Sequence, residues 1–116
     1  MFLQNSNLSF LFMVKKEVFE WIRTGQKNIE LRRGRAKKGD TAVFQYGRIF
    51  LRRKIIKREE GKLTDVLRED NYKNIIPSAN TLEEAINYIK KLYGQLKEYL
   101  QLLFYSVVGL EKGYLG

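Results

Sequence analysis

The sequence predicts an α+β fold in a single domain spanning residues 1–116. Three observations carry that reading. The length suits one domain, and an apolar share of 44% supplies one core but not two. Strand-like runs follow one another in the middle of the chain with a glycine corner between them, which is a hairpin and not the alternating order of a doubly wound sheet. Helical periodicity is confined to separate stretches on either side of those runs.

Taken in order, Asn7–Val14 is rich in Phe, Leu and Val and reads as a buried strand. Lys15–Thr24 places Val18, Phe19, Trp21 and Ile22 on one helical face, and Gly25 stands where a helix is expected to stop. Asn28–Arg32 alternates, with Ile29 and Leu31 on one side and Asn28, Glu30 and Arg32 on the other. Arg33–Gly39 reads as a basic turn, Thr41–Tyr46 as a strand, Gly47 as the corner and Arg48–Lys57 as the returning strand. Its alternation fails near Arg52 and Arg53, which points to a bulge or an exposed edge there. Gly61 is expected to end that strand, Leu63–Leu67 to form a short helix, and Asn71–Ala79 to form a loop containing Pro77. The clearest helix is Thr81–Tyr93, where Leu82, Ala85, Ile86, Ile89, Leu92 and Tyr93 make an apolar stripe. Asn80 or Thr81 is its expected cap, with Glu83 or Glu84 as the capping-box partner and Gly94 as the stop. Gln95–Leu100 adds a helical turn, and Leu102–Glu111 reads as a closing strand buried on both faces. The expected order is β-α-β-β-β-α-α-β.

Composition bounds the chemistry. Cys and His are absent, which excludes disulfides, thiolate or imidazole metal sites, Cys nucleophiles and any triad with a histidine base. Composition leaves carboxylate sites for Mg²⁺ or Ca²⁺ open, but no defined metal site or cofactor is expected. Charged residues are 30% of the chain, as in a soluble protein, and their balance is +9. That surplus is local. Residues 27–58 hold twelve Lys or Arg against Glu30 and Asp40, a net +10, while the other ten bases and eleven acids net −1. Such a patch favours a polyanion, with nucleic acid first and acidic lipid second. Neither Met1–Val14 nor Tyr99–Leu110 reaches the ~20 apolar residues that span a bilayer, and the N-terminus lacks a basic region before its apolar run. The chain therefore reads as cytoplasmic, with no membrane partner, and its Lys, Arg, Glu, Ile and Tyr content suits a thermophile.

Three motifs invite chemistry and two fail. Gly34 and Gly39 have P-loop spacing, but Asp40 stands where the phosphate-binding lysine belongs. Glu59-Glu60 and Glu69-Asp70 are adjacent acids, whose side chains point apart in extended chain. In the third, Thr24-Gly25-Gln26-Lys27-Asn28-Ile29-Glu30-Leu31-Arg32, a lysine in a turn precedes a carboxylate and a guanidinium on one strand face, ~7 Å apart. By itself this is also what an exposed strand with a weak ion pair looks like, to which an exposed lysine adds little stability.

That segment, with Phe19–Ile22 before it, resembles the helix and Gly-x-Lys-x-x-Glu-x-Arg signature of the ASCH family. Lys38-Gly39-Asp40-Thr41-Ala42-Val43-Phe44 is similar to its Gly-Asp-strand element, Pro77 with Thr81–Tyr93 to its proline and Glu-Glu-Ala…Tyr helix, and Val107–Leu110 to its last strand. The resemblance covers residues 8–111 and implies a small PUA-like mixed β-barrel flanked by helices. It also implies a cleft lined by Lys27, Glu30 and Arg32 that takes RNA, single-stranded, or a nucleotide-like ligand. Some members resemble metal-dependent single-strand ribonucleases, which would require Mg²⁺ or Mn²⁺. Others remove the acetyl group of N4-acetylcytidine with a lysine, a threonine and a glutamate; here Lys27 matches, but Glu30 stands at the threonine position and Ser78 near the glutamate position. The expected function is RNA binding, with Lys27, Arg32, Arg33, Arg35, Lys37, Lys38, Tyr46, Arg48, Arg52 and Arg53 as contacts. In the enzymatic alternative, a ribonuclease or amidohydrolase, Lys27 and Glu30 are the available base, nucleophile or proton donor.

Overall fold

A computed structural model of the chain describes residues 9–35, 39–93 and 104–111. Its elements are β1 (Ser9–Met13), α1 (Lys16–Arg23), β2 (Ile29–Arg33), β3 (Thr41–Tyr46), β4 (Ile49–Lys62), α2 (Leu63–Val66), α3 (Tyr72–Ile75), α4 (Leu82–Tyr93) and β5 (Phe104–Leu110). The fold is α+β, with a five-stranded sheet in the order β1-β3-β4-β5-β2 curled into a half-barrel. β1 runs parallel to β3, and the other pairs are antiparallel.

The curl originates in β4. Ile49–Lys54 ladder with β3, and Ile55–Lys62 ladder with β5, with a register shift between Ile55 and Lys57. An extra residue in one strand bends it and increases its twist. The bulge therefore lies at Ile56, and not at Arg52 and Arg53, where pairing to β3 is unbroken. The strand also continues through Gly61 instead of ending there. Glycine is needed at that point for space, because a Cβ would sit 2.9 Å from the Cβ of Asp65. Asp65 stands this close because its carboxylate accepts the Lys62 N–H at 3.0 Å, which starts α2.

Two cores form, one on each face of the sheet, and not the single core that the apolar share suggests, because the sheet is covered on both faces. Inside the curl, Ala42, Phe44, Ile55, Val108 and Leu110 pack with Ile22 of α1, and Phe12 stacks on Phe44 at 5.3 Å. On the other face, Leu31, Tyr105 and Val107 meet Leu63, Val66, Leu67, Ile75, Ala85 and Ile89 of the helices. β5 feeds both cores with alternate side chains, which explains its nearly unbroken apolar run. α1 follows expectation: Phe19, Trp21 and Ile22 are buried, and Gly25 has φ +83°, a conformation that favours glycine.

The loop expected at Asn71–Ala79 contains the short helix α3, so the order gains one helix. Asn71 organises it from a buried position, donating to Val66 O at 2.9 Å and accepting from Arg68 N at 2.8 Å. Such side-chain bonds compete with regular structure and are hard to read locally. α4 is capped by Thr81, whose Oγ1 accepts the Glu84 N–H at 3.1 Å, while Glu84 accepts the Asn80 N–H at 3.0 Å. Leu92, assigned to the apolar stripe, is instead exposed. The expectations at Asn7, Leu8, Gly94, Gln95–Leu100, Leu102 and Leu103 lie outside the described residues. No described helix is long and apolar enough to cross a membrane.

Candidate functional site

Gly25 turns the chain out of α1, and the Lys27 N–H then bonds back to Trp21 O at 2.9 Å. This folds the Lys27 side chain beneath β2, where it is 5% exposed. Its Nζ donates to Ile29 O at 2.9 Å and Ile75 O at 2.7 Å, and lies 3.3 Å from Glu30 Oε1. An ammonium has three protons, and three acceptors surround it. Burial pushes the Lys27 pKa down from its ordinary value, and the Glu30 carboxylate opposes that shift.

Glu30 is 6% exposed. Its second oxygen, Oε2, accepts from Arg32 Nε, so the two cations hold one oxygen each. The Arg32 guanidinium also lies 4.6 Å from the centroid of the Phe12 ring. Its side chain remains 40% exposed. The polar face of β2 is thus not the solvent face that an isolated alternating strand suggests. Glu30 pairs with Val108 and Arg32 with Ser106, so both project into the curl of the sheet. The correction is physical: alternation separates two faces of a strand, but only sheet curvature decides which face is enclosed.

The three charged groups border a cavity of about 180 Å³ walled by Trp21, Tyr88, Val18, Ile89 and Leu92. The Trp21 and Tyr88 rings are neighbours, tilted by 50° with centroids 6.5 Å apart. Burial raises the Tyr88 hydroxyl pKa, with Glu17 and Glu30 adding to it. On the other side of Glu30 and Arg32, a second cavity of about 270 Å³ within the curl is lined by Phe10, Phe12, Ile55 and Val108, with Arg33 and Arg35 also on its wall. Arg32 therefore stands between two spaces.

Of the other described basic residues expected as contacts, Arg33 and Arg35 line the second cavity with Arg32, whereas Arg48, Arg52 and Arg53 line neither cavity. Arg35 lies 3.8 Å from Glu60 and over the Phe104 ring. Arg52 is exposed and pairs with outward-facing Val43, whereas Arg53 pairs with Ala42 on the inner face, where burial lowers its pKa. Arg48 is exposed in the β3–β4 turn. Tyr46, expected as an RNA contact, packs on Phe19 at 6.1 Å and stays partly exposed, away from the cleft wall. Lys37 and Lys38 lie outside the described residues. Ser78 is exposed and not among the cleft-lining residues. The paired acids are separated: Glu59 is held by Lys57 and Arg68, Glu60 by Arg35, and Asp70 by Arg68. Among the described residues no three Asp or Glu converge as metal ligands would.

Sequence reasoning overlooked the aromatic wall and the carbonyl of Ile75. Trp21 and Tyr88 each fall on an apolar helical stripe or beside one, so periodicity assigns them to packing. The Ile75 carbonyl is a backbone group 48 residues from Lys27 and leaves no trace in residue identity.

No protein-family model matches the chain, and no curated protein matches it in sequence. Two solved structures are similar in fold. The crystal structure of hypothetical protein PH0355 shares 21% identity at a TM-score of 0.71, over 90% of this chain and 98% of that one. The solution structure of protein PF0455 from Pyrococcus furiosus shares 21% identity at a TM-score of 0.63, over 90% of this chain and 96% of that one. The likeness at this identity extends to the fold: nearly the whole chain is similar to both small α+β proteins.

Proposed function

We propose that this protein binds RNA, seating one nucleotide in the Lys27–Glu30–Arg32 cleft of an ASCH-like, PUA-like domain. The observation that carries the reading is the buried Glu30 carboxylate held between two cations at the wall of an aromatic-lined cavity. Ligand sites combine apolar walls with a few convergent polar groups in this way. Trp21 and Tyr88 offer aromatic surface to a base, and Arg32, partly exposed and braced by Glu30 and Phe12, offers a guanidinium to its edge or phosphate. The local net charge of +10 supplies the attraction for a polyanion.

The enzymatic reading is supported by the lowered pKa of Lys27 beside a carboxylate. Against it, a lysine whose three protons already have acceptors has no lone pair to offer unless those bonds break. Lys27 is better understood as the group that positions Glu30, and Arg32 as the group that meets the ligand.

The test is incubation of the protein with single-stranded RNA and with N4-acetylcytidine, with and without Mg²⁺ or Mn²⁺, followed by product analysis and a binding isotherm. Binding that weakens at least tenfold in Arg32→Ala, with substrates recovered intact, supports the binder. Cleaved RNA or released acetate favours the enzyme, and no binding at any salt concentration removes nucleic acid from the reading.

A further inference from the structure

The outer face of the β1-β3-β4 part of the sheet carries side chains that neither core uses. Its rows follow from the strand register: Met13, Gln45 and Phe50 lie side by side, then Leu11, Val43 and Arg52, then Ser9, Thr41 and Lys54. Leu11, Met13 and Phe50 are 56%, 72% and 56% exposed. The opposite face of the same strands is filled by Phe12, Phe44 and their neighbours, so these three do not serve the core. A cluster of large apolar groups left in water marks an interaction surface.

The cations of this face, Arg52 and Lys54, and Arg48 in the adjoining β3–β4 turn are also uncommitted. Among the described residues Arg48, Arg52 and Lys54 make no ion pair, whereas Arg23, Arg32, Arg35, Lys57 and Arg68 each have a carboxylate partner. Along β4 the exposed series runs Phe50, Arg52, Lys54, with successive members ~7 Å apart on one face of a strand. A ring beside two cations spaced along one strand offers a stacking surface to one base and charge to the phosphates of the same extended polynucleotide strand. A bilayer instead selects apolar groups grouped at depth with the cations at their rim.

The geometry points to this face as a platform for single-stranded RNA, on which Phe50 stacks a base, Arg52 and Lys54 follow the phosphates, and Met13 leads the strand toward the cleft. Met13 belongs to both places: it stands on the sheet face and also lines the Lys27–Glu30–Arg32 cavity. The inference rests on the RNA-binding reading and adds a tracking surface to its nucleotide cleft. Stacking on a sheet aromatic is tolerant of sequence, so the platform supplies affinity and strand preference, while base choice belongs to the cleft.

The experiment measures anisotropy of a fluorescent 12-nucleotide oligouridylate, its duplex with oligoadenylate, and the four ribonucleoside monophosphates, across a salt series. The proteins are wild type, Phe50→Ala, Arg52→Ala/Lys54→Ala and Arg32→Ala, each checked for folding by circular dichroism. Phe50→Ala should weaken the single strand about tenfold, a loss in the range of one stacked base, with mononucleotide binding unchanged. The double variant should reduce the slope of log K against log salt by about 1.4, the value for two phosphate contacts on a single strand. If both variants bind the single strand like wild type while Arg32→Ala does not, the platform is wrong and the cleft stands. If wild type binds no RNA, the RNA reading and the platform fail together. Capture of phosphatidylserine vesicles that Phe50→Ala abolishes, with no single-strand effect, would overturn the platform in favour of a lipid surface.

Discussion

Lys27, Glu30 and Arg32 come from the same basic stretch as Arg48, Arg52 and Lys54, yet the two groups meet opposite conditions. In the first, Lys27 and Glu30 are buried, and the carboxylate is matched by Lys27 and by the partly exposed Arg32. The second stands in water on the outside of the sheet without carboxylate partners among the described residues. Charge in the first group is a structural element that also shapes a cavity. Charge in the second costs the fold little and is free to meet a ligand. Residue type does not distinguish them; desolvation does.

The largest expected effect breaks the enclosed group. Lys27→Met removes one of the two cations on a buried carboxylate and leaves the Ile75 carbonyl without its donor, so urea denaturation should show a loss of about 3–5 kcal/mol. A loss below about 1 kcal/mol would mean that Lys27 is solvated after all, as the isolated strand pattern suggests.

A smaller effect sharpens the same point. Glu30→Gln keeps the shape and removes the charge, but its amide has one accepting oxygen where the carboxylate has two, so either Lys27 or Arg32 loses its acceptor and meets an NH2 donor; the cost should be about 1–3 kcal/mol. The Lys27→Met/Glu30→Gln double variant should lose less than the sum of the single losses, because the buried charges are then removed together. Strict additivity would show that the two side chains are not energetically coupled.

Arg52 and Arg53 repeat the comparison with adjacent residues. Arg53 points inward and is partly desolvated, so Arg53→Ala should cost about 1 kcal/mol through lost packing of its stem. Arg52→Ala should stay within about 0.5 kcal/mol of wild type. Equal losses in thermal or urea melts would place both arginines on one exposed edge.

The smallest effect concerns acid. Burial works to raise the Glu59 pKa, but Arg68 and Lys57 outweigh it and hold the group below its ordinary value of about 4.5. A lowered carboxylate stabilises the fold above its unfolded pKa and loses that contribution as pH falls through the folded value. Glu59→Gln should therefore be less stable than wild type by under about 1 kcal/mol above pH 4.5, and the two should converge in stronger acid. A difference that grows toward low pH would reverse the assignment.

Much of this arrangement is legible in the sequence where the signal is local. The α+β class, the stop at Gly25, the Thr81–Glu84 cap, the β3–β4 corner at Gly47 and the two-sided burial of β5 all arise from interactions within a few residues, or from an unbroken apolar run. The grouping of Lys27, Glu30 and Arg32 is also legible, since a turn followed by an alternating strand brings them to one side. The bulge at Ile56, the helix α3 organised by Asn71, and the course of β4 through Gly61 were not, because each depends on a partner elsewhere in the chain.

The sequence by itself determined that a basic excess lies between residues 27 and 58, that no thiol or imidazole chemistry exists in the protein, and that Glu30 shares a strand face with Arg32. Tertiary structure alone decided which charges are enclosed. A strand's period assigns side chains to two faces, but the direction in which the sheet curls turns one face into a low-dielectric interior and leaves the other in water. The same decision placed Arg53 inside and Arg52 outside, brought the Ile75 carbonyl to Lys27, and left Phe50 and Met13 exposed beside unpaired cations.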